Sequence, residues 1–268
     1  MSLSASQLYA AGRLHEAIAL LGEELRQHPG DSERRGLLAE LLCFAGEWER
    51  ADKQLEVISH QEPQLAVGLA QFRQVLRAAQ ARAQFYSEGR LPEFLEPPDA
   101  LLQLYLRASI ALREGHVDEA EALLTQAESQ RRPLCGACNG RLFDELRDLD
   151  DLTACMLEVL SSNGKYYWIP YARVERIEFH PPRRPRDLLW RPAHITVHDG
   201  PDGEVFLPAI YAPPADADEA TLLGRVSDWY GAPDGPVRGR GQRTLLVGEE
   251  AVPLLEIETL VIAGDAHG

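Results

Sequence analysis

Apolar side chains recur at helical spacing through the first half of the chain and at strand spacing through the second. Leu14, Ala17, Ile18, Leu21 and Leu25 fall on one helical face, because positions three and four apart stack on the same side of a helix. Leu65, Leu69, Phe72, Leu76, Ala79 and Ala83 form another stripe and predict a longer helix over roughly 64–87. After about residue 152 the pattern changes. Short apolar or alternating segments at 153–160, 165–170, 173–179, 187–197, 204–211, 244–247 and 254–262 read as strands. Turn-forming stretches separate them, among them SSNG (161–164) and the hairpin signal DGPDG (199–203). Helices followed by strands predict an α+β chain with two domains in series, a helical one over 1–150 and a β-rich one over 151–268.

The helical half repeats itself. Gly12, Leu14, Ala17, Leu21 and Pro29 align with Gly46, Trp48, Ala51, Leu55 and Pro63, each pair 34 positions apart. A further copy over 112–133 keeps Gly115 and Ala120 at the same five-residue interval and ends at Pro133. Glycine ends one helix, the small alanine lets two helices approach, and proline stops the second helix. Helix, glycine turn, helix and proline stop at a period of 34 resemble the tetratricopeptide repeat. Trp48, standing where the first copy has Leu14, is expected to pack between helices. Stacked helix pairs leave a concave face of the kind that holds segments of other proteins.

Charge narrows the choice of partner. The chain carries 42 acidic and 27 basic side chains, a net charge of −15, which repels phosphate backbones and argues against nucleic acid. No apolar run reaches the roughly 18–20 residues of a membrane helix, and the start lacks the basic and apolar regions of a signal peptide. The expected compartment is the cytoplasm, with no membrane association.

Four local features carry candidate chemistry. Cys135-Gly-Ala-Cys138 has the spacing of a zinc half-site, but no second pair completes four ligands, so no metal and no cofactor is expected. The run FDELRDLDDL (143–152) would, as a helix, place Asp144, Asp148 and Asp151 on one face. Gly239-Arg240-Gly241 leads into a strand-like segment and reads as a turn, not a phosphate loop. The segment 164–192 gathers aromatics with Lys165, Arg173, Arg176, Arg183, Arg184, Arg186 and Arg191. One expectation joins the last of these to the acid run: Asp144, Asp148, Asp150 and Asp151 meet Arg183, Arg184, Arg186 and Arg191 across the domain boundary.

Seven motifs occur in order: LCFAGEWERADKQL (42–55), NGRLFDELRDLDDL (139–152), GKYYWIP (164–170), RPRDLLWR (184–191), DGPDGEVFLP (199–208), LGRVSDW (223–229) and GPVRGRGQRTLLVGEE (235–250). Together they resemble the ImpE/SciE family, accessory proteins of the bacterial type VI secretion system. The resemblance spans nearly the whole chain. It implies a non-enzymatic cytoplasmic accessory factor, associated with the TssB-like small subunit of the contractile sheath and with the ClpV-type AAA+ ATPase that disassembles contracted sheath. No catalytic residues come with it.

The leading expectation is therefore an adaptor. Carried along the repeat, the positions lining the concave face are Ser6, Tyr9 and Ala10, then Glu33, Gly36, Glu40, Cys43 and Phe44. Tyr9 and Phe44 would anchor an amphipathic helix, and Glu33 and Glu40 would favour basic residues beside its apolar stripe. The alternative is an enzyme acting on an anionic or phosphorylated substrate through the 144–151 acids and the Arg-rich loops. A perturbed Asp148 or Asp151 in a concave pocket would favour it, whereas an open acidic groove on the helical half would favour the adaptor. Oligomeric state is not legible from the sequence.

Overall fold

The computed structural model describes residues 3–233 and 235–263. Seven helices come first: α1 (Ala5–Ala10), α2 (Leu14–Gln27), α3 (Ser32–Phe44), α4 (Trp48–Gln61), α5 (Ala66–Glu88), α6 (Ala100–Glu114) and α7 (Val117–Gln130). The pairs α1–α2, α3–α4 and α6–α7 are the three repeat copies, and α5 stands between the second and third. Gly12, Gly46 and Gly115 sit at the pair turns with φ of +83°, +71° and +77°, a region closed to most side chains, and this explains the glycine in each copy. Asp31 starts α3 by accepting from the Arg34 amide at 2.9 Å. Ala17, Ala51 and Ala120 are all fully buried, as close helix approach requires.

The strands follow: β1 (Gly136–Cys138), β2 (Arg141–Phe143), β3 (Leu146–Asp148), β4 (Met156–Ser161), β5 (Tyr166–Pro170), β6 (Val174–Phe179), β7 (Trp190–Val197), β8 (Asp202–Pro208), β9 (Ser227–Tyr230), β10 (Arg238–Gly241), β11 (Thr244–Val247), β12 (Glu250–Pro253) and β13 (Thr259–Ile262). A short helix α8 (Glu219–Leu222) lies between β8 and β9. Eight strands form one sheet in the order β2-β1-β13-β6-β7-β8-β4-β5, and every pairing in it is antiparallel. Smaller sheets are β12-β11-β3 and β10-β9. DGPDG joins β7 to β8, as its turn chemistry predicts.

Strand alternation divides the core in two. On β4 and β5, Met156, Leu160, Tyr166 and Trp168 face the helices, while Leu157, Val159 and Ile169 face a second core within the sheets. The first core runs without interruption from Ala5 on α1 to Leu223 and includes Trp168, Trp190 and Ile210. Helices and strands thus share one interior.

Several expectations change. The last helix ends at Gln130 and β1 opens at Gly136, so β-structure begins well before the expected boundary at 150/151. The acid run is no helix: it holds the end of β2, all of β3 and a 3-10 turn at Asp151–Thr153. Pairing of Leu146–Asp148 with β11 decides this against the local spacing. Gly239–Gly241 belongs to β10 and is not a turn. Trp48 packs against the first core, as expected, and also stacks on Trp190 of β7, ring centroids 6.2 Å apart and planes at 26°.

Candidate functional site

The face of the array lined by α1, α3 and α5 is largely covered by the chain's own second half. A 3-10 turn at Pro185–Leu188 lies against α3. The Arg186 guanidinium sits 4.2 Å from the centroid of Phe72 on α5. Trp190 stacks on Trp48 and meets Phe72 edge-on at 6.3 Å. At the other end, Arg225 donates to the carbonyls of Tyr9 and Ala10 at 2.5 and 2.9 Å, satisfying the open C-terminus of α1, and Glu219 of α8 accepts from the His15 amide at 2.8 Å.

Two of the four expected groove residues are thereby withdrawn from solvent. Phe44 is buried, with half-buried Tyr9 tilted against it at 6.1 Å. Glu40 is only 4% exposed and lies beneath two guanidinia, Arg184 Nη1 at 3.6 Å and Arg186 Nε at 4.0 Å. Burial pushes its carboxyl up, and Arg186 and Arg184 pull it part of the way back. Glu33 remains exposed.

An open groove survives beside this cover. A cavity of about 510 Å³ lies between α3, the end of α4 and the start of α5. Leu37, Leu55, Ile58, Leu69 and Phe72 line its floor, Glu33 and Glu62 one end, and Arg184 and Arg186 the other. Gly36 and Gly68 also line it. A Cβ added at either would meet nothing within 4 Å, so both glycines hold space open. Glycine inside a helix costs roughly 0.5–1 kcal/mol against alanine, and an open groove is a physical reason to keep it.

The expected seam between the acid run and the 183–191 arginines does not form. Among the described residues, Asp148 pairs with Arg243 at 3.0 Å, Asp150 with Arg238 at 2.8 Å and Asp151 with Arg147 at 2.6 Å, and Asp144 is exposed. Arg184 and Arg186 turn to Glu40. Arg191 donates to the carbonyls of His180 and Leu255 at 2.5 and 3.0 Å. The Asp187 carboxylate accepts from the amides of Arg183 and Arg184 at 2.8 and 3.0 Å. Asp148 turns inward because β3 carries it into the fold, and Asp150 and Asp151 follow in the 3-10 turn after it.

A different buried network ties the halves together. Glu158 on β4 accepts both ends of a bidentate pair from Arg82 on α5, at 2.9 and 2.8 Å. The hydroxyls of Tyr86 and Tyr166 donate to the same carboxylate at 3.0 and 2.5 Å. Arg243 bridges Glu158 to Asp148, and Tyr211 donates to Asp148 at 2.7 Å. Burial would raise the Glu158 carboxyl, but the Arg82 and Arg243 guanidinia hold it well below the usual range. Asp148 is lifted by burial to about 6 despite Arg243. It is 0% exposed, so its shift arises inside a packed network and not at a surface that a substrate could reach. Arg243 stands in the 235–250 motif, but Arg82 and Glu158 stand in none; for those two the available signal is a single charge inside an apolar run.

Cys135 is exposed and Cys138 buried, at the two ends of the β1 segment. Three positions apart in extended chain, they face opposite sides of the sheet. Among the described residues, no group of three or more His, Cys, Asp or Glu could hold a metal ion, and no helix is long and apolar enough to cross a membrane.

These features define a helical-repeat protein whose array is braced by its own sheets and left open at one groove. The tetratricopeptide repeat model matches residues 8–84, which run from α1 through most of α5, and the ImpE protein model matches residues 140–261. The chain is 30% identical over 230 residues to the type VI secretion system accessory component TagJ of Pseudomonas aeruginosa, covering 85% of this chain and 82% of that protein. Its fold matches the crystal structure of protein VPA1032 from Vibrio parahaemolyticus with a TM-score of 0.91 at 28% identity, over 98% of both chains. The chain belongs to the ImpE family.

Proposed function

We propose that this protein is a cytoplasmic, non-enzymatic accessory component of a type VI secretion system. It acts as an adaptor that grips a TssB-like sheath subunit through the α3–α5 groove and links it to a ClpV-type ATPase. The observation that carries this reading is the groove itself: an apolar floor left open on an array whose remaining concave surface is already covered. Kinship to an accessory component of that secretion system supports a protein partner.

Because the halves share a core, the test uses the full-length chain. Gly68→Trp and Gly36→Trp place a large side chain in the open groove without a clash at Cβ. Both variants are expected to melt at or above the wild-type temperature, since each removes a helical glycine. Both should lose at least tenfold in affinity for the sheath small subunit by calorimetry. Wild-type affinity in both folded variants would remove the groove from the account.

A further inference from the structure

The groove carries opposite charges at its two ends, and this fixes more about its occupant than an apolar floor does. Glu33 lies in the first turn of α3 and Glu62 just after α4, and no cation pairs with either among the described residues. Seven residues further along α3, about 10 Å at 1.5 Å per residue, the other end is cationic. Arg184 there keeps 65% of its side chain exposed, and the Arg186 guanidinium lies over the Phe72 ring. Arg184 and Arg186 face the Glu40 carboxylate, and Arg186 also lies 3.9 Å from Asp187; both carboxylates are buried. The end that the sequence alone marks as negative therefore presents the exposed Arg184 cation at its surface.

The walls are helices, so they offer no open strand edge. An incoming backbone has to satisfy its own amides and carbonyls, which a helix does and an extended segment does not. Gly36 and Gly68 leave room for close approach of such a helix.

Resting on the adaptor reading above, we propose that the groove's occupant is an amphipathic helix of opposite end charges. Basic residues in its first turn lie at Glu33 and Glu62, and acidic residues in its last turn lie at Arg184 and Arg186. The negative end of the helix dipole then also meets the arginines. This differs from a uniformly basic helix, which Arg184 and Arg186 would repel.

Three stapled 15-residue helical peptides with the same leucine stripe test this against the full-length protein by calorimetry. One carries lysines in its first turn and glutamates in its last, one carries lysine at both ends, and one carries glutamine at both. The first is expected to bind about tenfold tighter than either other, equivalent to about 1.4 kcal/mol, and to lose that margin in high salt. In Arg184→Glu the order of the first two should reverse. Equal or tighter binding of the lysine-only peptide to wild type would overturn the charge order while leaving the groove as a helix site. If no peptide binds but the sheath subunit does, the occupant is not a helix of this kind. If neither binds, the adaptor reading itself fails.

Discussion

Glu158→Gln should lower the stability of the whole chain by about 3–5 kcal/mol, the usual cost of breaking a buried ion pair from one side. The substitution preserves shape and removes the charge that, among the described residues, neutralises Arg82 on α5 and shares Arg243 with Asp148. Two buried guanidinia would then face an amide, and the Nε of Arg243 already has no hydrogen-bond partner. A typical domain holds roughly 5–15 kcal/mol in total, so the urea midpoint should fall by a large fraction at unchanged slope. A midpoint within experimental error of wild type would show that the network is not what joins helices to strands. Exposed pairs such as Arg13–Glu16 should give no comparable shift when broken, because solvent screens them.

The same network gives a signed pH dependence. Glu158 titrates well below an ordinary glutamate in the folded chain. Its stabilisation is therefore complete above about pH 4.3, the unfolded value, and is lost as pH falls toward the folded one. Asp148, raised to about 6, acts in the opposite sense: the folded chain binds that proton first, so its contribution grows as pH falls from about 6 to about 4. Wild type should show a shallow gain in stability on mild acidification and a steep loss below about pH 4. Glu158→Gln should blunt the steep part and keep the shallow one.

Trp190→Ala is the second large effect, at about 3–5 kcal/mol for a buried aromatic. Trp190 is 3% exposed and lies between Trp48 on α4 and Phe72 on α5. Its loss leaves a void at the place where the sheet half covers the array. The variant should still melt in one calorimetric transition, because helices and strands share the first core and one core melts as one unit. Two resolved transitions in wild type or variant would mean that the halves fold separately.

The sequence shows the helix pairs because their determinants are local: glycine at each turn, a small alanine five residues on, and a proline stop. The longer strands are visible for the same reason, each having enough residues to display its alternation. β1, β2 and β3 are three residues long and show no period, and the acids at 144, 148 and 151 fit a helix equally well until β11 pairs with β3. The Arg82–Glu158 link spans 76 positions, and no periodicity reports a partner that distant. The groove was half legible. Glu33 lies where the repeat puts it, but Glu40 and Phe44 are covered by a segment some 140 residues later in the chain, and a helical stripe does not reveal what will lie over it.

Hydrogen exchange on the full-length protein, with and without the sheath small subunit in excess, tests the adaptor account most directly. Amides over 32–40 of α3 and 65–72 at the start of α5 should slow on binding, while the β9–β10 hairpin, whose β9 strand is exposed with Trp229 at 39%, should not change. Slowing confined to that hairpin or to the outer sheet, with α3 and α5 unaltered, would contradict it.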